Sequence, residues 1–312
     1  MSIKSMARSR IAIIGLGKIA RDQHIPALSA SSEFELVGVA SPHNKLDGVP
    51  SYDDLGTLLQ AVPDIDAVSI CTTTQARYPV ARFALERGLH VMMEKPPGVT
   101  VSEVLALAAL ARQQHVALFA SWHSRQAAGV EPARAWLEGR KIESVSVHWK
   151  EDVRVWHPGQ TWIWKPGGLG VFDPGINALS VLTRIIPDVW VLKDAELRYP
   201  RNCETPIAAD MVLEVAGAPV RMSLDFLHTG APRWDIEVRT DAGLLSLSNG
   251  GAQLAINGSR VPELHGREYP DLYRRFATLV RGRSLDVDVG PLQLVADAFL
   301  CGRRVEVEDF VE

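Results

Sequence analysis

The residues whose types and spacing can do chemistry fall into a few short segments. Lys95 lies in Met93-Glu94-Lys95-Pro96-Pro97, directly after the strand-like run His90 to Met93. At the carboxyl end of a strand in a parallel sheet, its ammonium can hydrogen-bond a hydroxyl and stabilise negative charge growing on oxygen as a proton leaves, while the prolines stiffen the loop. A solvated surface lysine is the alternative. Asp173 and Asn177, four residues apart at a predicted helix start, can share one helix face. Asp173 is the carboxylate best suited to take a proton, and Asn177 can orient a hydroxyl without being a base. An aspartate there can equally do no more than cap backbone donors, and His157 is a second candidate acceptor.

Four of the eight tryptophans, Trp149, Trp156, Trp162 and Trp164, lie inside sixteen residues, interleaved with Lys150, Glu151, Asp152, His157 and Lys165. Indole faces covering C–H surface and polar groups selecting hydroxyls suit a sugar pocket, whereas the same four rings can instead brace a junction between domains.

A different chemistry belongs to Gly15-Leu16-Gly17-Lys18-Ile19-Ala20, which follows the apolar run IAII and precedes a helical stretch. That context favours a dinucleotide loop, with a structural glycine-rich turn as the alternative. Gly15 permits the tight turn, Gly17 lets backbone approach a pyrophosphate, and Ala20 keeps the helix near the sheet. The second strand ends in Ala40-Ser41-Pro42-His43 without the acidic residue that binds an adenosine ribose. Ser41 and His43 can donate to a 2′-phosphate, so NADP is expected, with NAD tolerated; Asp47 or another loop supplying the acidic contact is the alternative.

These segments need elements to position them. Residues 11 to 122 alternate β-branched runs with helical patterns, the rhythm of a parallel α/β sheet. Strands are predicted at 11–15, 35–40, 66–70, 90–93 and 116–122. Ser51 and Asp54 suggest an imperfect cap for the helix after Tyr52, Gly88 closes a helix from Gln75, and Thr100 with Glu103 makes a capping box. Beyond about residue 140, alternating runs and short turns predict an antiparallel sheet. They are interrupted by a helix over roughly 176–186 and followed by two late helices, in YPDLYRRFATLVRG and PLQLVADAFLCGRR. The expected division is a nucleotide-type domain over 1–123 and an α+β domain with an open, largely antiparallel sheet over 124–312.

Composition narrows the class further. With 33 Lys and Arg against 37 Asp and Glu, the formal charge of −4 disfavours an extended nucleic-acid or anionic-membrane surface. The longest apolar stretch, residues 104–111, is far short of the roughly 18 residues a membrane span needs. The amino end, with Lys4, Arg8 and Arg10, lacks an export cleavage pattern. Cys71, Cys203 and Cys301 have no metal-site spacing and suit a reducing cytoplasm. No zinc-ligand cluster, nucleophile elbow or phosphate loop ending in Gly-Lys-Ser/Thr is present, so no metal is expected and redox chemistry is favoured.

GLGKIA, EKP and GGLGVFDPGIN together resemble the glucose-fructose oxidoreductase, inositol dehydrogenase and rhizopine-catabolism family (Gfo/Idh/MocA) across nearly the whole chain. ARDQHIPAL, WHSRQA, WKEDVRVWHPGQTWIW and PLQLVADAFL resemble its bacterial L-arabinose and D-galactose 1-dehydrogenase branch. The resemblance implies an N-terminal Rossmann domain, a C-terminal substrate domain whose sheet makes homo-oligomers, and oxidation of an aldopyranose at C1. It places Lys95, Asp173 and Asn177 in catalysis; many relatives carry His where Asn177 stands, which puts a histidine mechanism there in doubt. It places Glu151, His157, Trp156, Trp164 and His123 around the sugar, and Lys18, Ile19, Thr72 and Glu94 beside the cofactor with the residues above. A family member acting away from the anomeric carbon, and a non-catalytic sugar-binding regulator, remain as alternatives.

Overall fold

The computed structural model describes residues 8–312, so Lys4 lies outside the described residues. The chain divides into two compact units. One runs to Ser121 and includes Tyr269–Asp288; the other comprises Trp122–Glu268 and Val289–Glu312.

The first unit is built on a seven-stranded, wholly parallel sheet in the order Leu285–Asp286, Leu118–Ser121, His90–Glu94, Ala67–Ile70, Ser9–Ile14, Phe34–Ala40, Ser51–Tyr52. Ile11, Ala12 and Ile13 are completely buried, as expected where helices cover both faces of a parallel sheet. The strand order reverses beside Ser9–Ile14, which opens a ligand crevice at the carboxyl ends of the central strands.

The helix Thr74–Leu85 lies between two of these strands, and Val101–Gln113 begins with the expected reciprocal capping box of Thr100 and Glu103. The predicted Ser51 cap is replaced. Asp54 itself accepts from Thr57 N–H at 2.8 Å, because Ser51 belongs to an edge strand and its hydroxyl serves Leu46 and Val49. The strand predicted over 116–122 shortens to Leu118–Ser121.

Tyr269–Asp288 departs from the expected continuous 124–312 domain. The helix Glu268–Gly282 buries Tyr269, Leu272, Tyr273, Phe276 and Leu279, an i, i+3, i+4 stripe facing the first unit's core. Phe276 stacks on Phe34 at 5.5 Å and on Phe119 at 6.4 Å, and Leu285–Asp286 then adds the seventh strand.

The second unit carries a nine-stranded sheet in the order Ser259–Arg260, Gln253–Ile256, Gly243–Ser248, Arg233–Thr240, Ile142–Lys150, Ala218–Asp225, Ala208–Val215, Trp190–Pro200, Arg303–Val307. It is mixed rather than purely antiparallel. Ile142–Lys150 pairs in parallel with Ala218–Asp225, and Arg303–Val307 with Trp190–Pro200. Val145, Val147 and Trp149 alternate inward with Val220, Met222 and Leu224, leaving Ser146, His148, Arg221 and Ser223 on the other side.

Against the apolar side lies the helix Phe172–Ile185. It starts four residues before the predicted Ile176, because Pro174 falls in its first turn, where no backbone donor is required. A Cβ at Gly175 would stand 2.6 Å from Leu224 Cδ1, so glycine is what lets the helix start lie this close to the strand. No helix among the described residues is long and apolar enough to cross a membrane.

Candidate active site

In the first unit, Ser9–Ile14 delivers the chain into Gly15 with φ of +90°, a region open to glycine without strain. Gly15 N–H donates to Ala40 O at 2.8 Å, and Cys71 N–H to Ile14 O at 2.7 Å, stitching the loop between neighbouring strand ends. A Cβ on Gly17 would meet no heavy atom within 4 Å, so the backbone here faces open space. The helix that follows opens with Arg21 N–H donating to Gly17 O, then makes a π-turn over Ala20–His24. Its amino-terminal donors suit an anion.

Beside it, Thr72 Oγ1 is buried without a hydrogen-bond partner, a polar atom placed to receive a ligand group. Ser41 is buried and His43 exposed at the end of the second strand, with no carboxylate at either position; Arg21 reaches the same loop, donating to Lys45 O at 3.1 Å. These residues fit a dinucleotide. Ala20 is fully buried and Ile19 is partly exposed, while Lys18 is exposed and paired with Asp22.

The Glu94-Lys95-Pro96 segment follows the strand His90–Glu94. Glu94 turns its carboxylate inward: Oε1 faces His24 Nε2 at 3.0 Å and Tyr269 OH at 2.9 Å, and Oε2 accepts from Lys95 N–H at 2.9 Å. Arg77, which sequence reasoning did not single out, is buried and donates to the carbonyls of Thr72 and Pro96, tying the two loops together. Burial alone pushes the His24 imidazole down. Cys71, Tyr273 and Glu94 outweigh it and hold His24 well above the ordinary histidine value.

In the second unit, Glu151 follows Ile142–Lys150, and Asp152 caps the short helix Val153–Trp156 by accepting from Arg154 N–H at 3.0 Å. That turn brings His157 back over the strand end. His157 Nε2 lies 3.1 Å from Glu151 Oε1, and its Nδ1 lies 3.8 Å from Asp173 Oδ2 on the helix Phe172–Ile185. An imidazole therefore stands between two carboxylates that are 4% and 5% exposed, hydrogen-bonded to Glu151 and within ion-pair range of Asp173. The second oxygen of Glu151 accepts from Trp234 Nε1–H at 2.8 Å.

Asn177 lies one helical turn beyond Asp173, and its side-chain amide makes no hydrogen bond among the described residues. Trp156 is 42% exposed and meets the Trp234 ring edge-on at 4.9 Å. Trp149 is core, lying 6.3 Å from Trp234 across the strand pair. Trp164 packs at 5.9 Å on Phe226 and 5.0 Å on Phe310, whose backbone is bracketed on both sides by Asn202. His157, Trp164 and Phe310 also line a cavity of about 300 Å³, and Glu151 and Asp173 are not in its wall. His123 Nδ1 is engaged by Glu268 at 2.7 Å.

The helix-start spacing singles out Asp173 and the family resemblance implies Glu151 and His157; the structure brings these three side chains together. Trp234 carried no such signal, since its place depends on strand register. Among the described residues no group of three His, Cys, Asp or Glu side chains is arranged to hold a metal ion.

The GFO_IDH_MocA model, an oxidoreductase family with an NAD-binding Rossmann fold, matches residues 9–121. Galactose 1-dehydrogenase of Pseudomonas fluorescens is 44% identical over 304 residues, covering 97% of this chain and 99% of that enzyme. The crystal structure of a D-galactose-1-dehydrogenase protein from Rhizobium etli superposes with a TM-score of 0.95 at 51% identity, covering 99% of this chain and all of that one. A 3-ketoreductase from Actinomadura kijaniata, in complex with NADP and TDP-benzene, shares the fold at a TM-score of 0.83 and 18% identity over 96% of this chain and all of its own.

Proposed function

The chain belongs to the Gfo/Idh/MocA oxidoreductase family, and on that premise we propose that it oxidises D-galactose, L-arabinose or both at the anomeric carbon to the 1,5-lactone. It is an NAD(P)-dependent oxidoreductase acting on a sugar. The observation that carries the finer reading is the Glu151–His157–Asp173 cluster, with Trp234 bonded to Glu151, in a chain similar over its whole length to galactose 1-dehydrogenases.

The nicotinamide, when bound, supplies the hydride acceptor for the C1 hydrogen. Gly17 backbone, the helix start and Thr72 would hold the dinucleotide, and Ser41, His43 and Arg21 would favour its 2′-phosphate form. Asp173 takes the proton of the anomeric hydroxyl as the C1–H bond breaks, leaving the C1 oxygen as the lactone carbonyl. Asn177 orients that oxygen from the same helix face. Glu151, fixed by Trp234, and His157 accept or donate to other ring hydroxyls, and Trp156 and Trp164 cover the C–H surface of the ring. Lys95 is assigned as a cationic donor to the reacting oxygen; its strand-end position and the EKP resemblance support that role.

Galactose and arabinose pyranoses share their ring stereochemistry and differ by a hydroxymethyl group, so discrimination depends on space at one carbon. Rates of NADPH and NADH formation with D-galactose, L-arabinose, D-fucose and D-xylose test the reading. Turnover is expected with the first three and at least about tenfold lower kcat/KM with xylose, whose C4 hydroxyl points the other way. No reduced cofactor with any of them would overturn the C1 reading for these sugars and favour a family member acting on another substrate.

The reading extends to self-association through the solvent-facing side of the nine-stranded sheet, where Arg198, Asp210 and Arg221 border a cavity of about 460 Å³. A monomer by light scattering would remove that part. A cytoplasmic location is supported by three free thiols, and export of the active protein would count against it.

A further inference from the structure

Behind Lys95 the first unit buries a polar cluster that the proposed chemistry does not use. His24 is completely buried at the end of the π-turn, Glu94 is 4% exposed at the end of its strand, and Tyr269 and Tyr273 lie one turn apart on Glu268–Gly282. His24 Nε2 donates to Glu94 Oε1 at 3.0 Å, and Tyr269 OH donates to the same oxygen at 2.9 Å. On its other side, His24 Nδ1 is 2.7 Å from Tyr273 OH and 3.2 Å from Ser69 Oγ. The rings of both tyrosines meet the imidazole edge-on, at 4.9 and 5.8 Å.

Burying a histidine–carboxylate pair contributes little net stability, because desolvation offsets the attraction, and an apolar replacement of similar volume is often as stable. Such a pair does impose geometry, since each donor restricts the carboxylate to one orientation. The other oxygen of the carboxylate, Glu94 Oε2, accepts Lys95 N–H at 2.9 Å. The buried cluster therefore terminates on the backbone of the residue proposed to meet the reacting oxygen.

We propose that His24 and Tyr269 are positioning residues, which act through Glu94 to fix the backbone of Lys95 and hence the direction of its ammonium. The π-turn contributes by ending on His24 in the orientation that reaches Glu94, and one-turn π insertions are frequent at functional sites. The returning helix contributes Tyr269, so a segment far along the sequence sets the geometry of the EKP loop. The inference rests on the catalytic role assigned to Lys95.

Tyr269→Phe removes one hydroxyl and leaves the ring. The expected result is a fall in kcat of about tenfold, with the KM for D-galactose and the affinity for NADP changed by less than about twofold. Glu94→Gln, which keeps an acceptor for Lys95 N–H, should retain more kcat than Glu94→Leu. In a Lys95→Ala background, Tyr269→Phe should lower the residual rate by less than about twofold, because two residues acting through one another are not additive. A merely structural cluster would lower the melting temperature of Tyr269→Phe and leave kcat unchanged, which overturns the proposal. So would a full tenfold effect of Tyr269→Phe on the impaired Lys95→Ala enzyme. Near-wild-type turnover in Lys95→Ala alone would identify the failure as that of the Lys95 role.

Discussion

Asp173→Asn should lower kcat by about 10³-fold, or about 4 kcal/mol in the barrier, with the KM for sugar changed by less than about threefold. The carboxylate is 5% exposed and stands 3.8 Å from His157 Nδ1 in the first turn of Phe172–Ile185. Asparagine has the same shape and can still hydrogen-bond in that turn, so folding and nucleotide affinity should persist. What it lacks is a site for the anomeric proton. His157 and Glu151 remain in the variant, which makes the substitution discriminating: if His157 were the primary acceptor, Asp173→Asn would keep most of its turnover. Steady-state kinetics with D-galactose and NADP, alongside circular dichroism, decides between them.

The second large effect is expected at Gly15. A Cβ there would lie 2.8 Å from Thr72 N and 2.9 Å from the Cys71 carbonyl carbon, both backbone atoms that cannot rotate aside. The φ of +90° adds strain for any L side chain. Relief would require displacing the loop and its bonds between Gly15 and Ala40 and between Ile14 and Cys71. Gly15→Ala should therefore cost about 2–4 kcal/mol of stability and lower NADP affinity by at least about tenfold. Gly17→Ala separates the two losses. Its methyl meets no protein atom within 4 Å, so stability should stay within about 1 kcal/mol while affinity falls, because the methyl enters the space through which a pyrophosphate approaches backbone. Urea unfolding and NADPH fluorescence titration measure both quantities. Equal unfolding midpoints for the wild type and Gly15→Ala would contradict this account of the loop.

The two glycines also illustrate what local sequence carries. Strand, tight turn and helix start are local features, so GLGKIA, the Thr100–Glu103 capping box and the parallel rhythm were legible from spacing. Phe172–Ile185 begins ahead of the apolar periodicity that marks it from Ile176, because Pro174 sits in a first turn that periodicity does not register. The Ser51 cap failed for a similar local reason, since the hydroxyl was already committed to an edge strand.

Long-range features had no local signature. The apolar stripe from Tyr269 to Leu279 predicts a helix but not which core receives it, and the seven-stranded sheet took it. Trp234 reaches Glu151 only because Arg233–Thr240 pairs with Ile142–Lys150 in the register that sets Trp234 opposite Trp149. Arg77 and Phe310 likewise act through backbone carbonyls and a neighbouring ring, contacts that residue type alone does not announce. Glu94 was recognised in its motif, but its direction depended on His24 and Tyr269, which are 70 and 175 positions away.

The central claim is that the hydrogen removed from the sugar is the one on C1. The most direct test supplies D-galactose labelled with deuterium at C1, together with NADP, and traps the product with hydroxylamine for mass spectrometry. A hydroxamate that has lost the deuterium, formed from the 1,5-lactone, is the predicted result. A product that keeps deuterium at C1 and carries a new ketone elsewhere on the ring would contradict it.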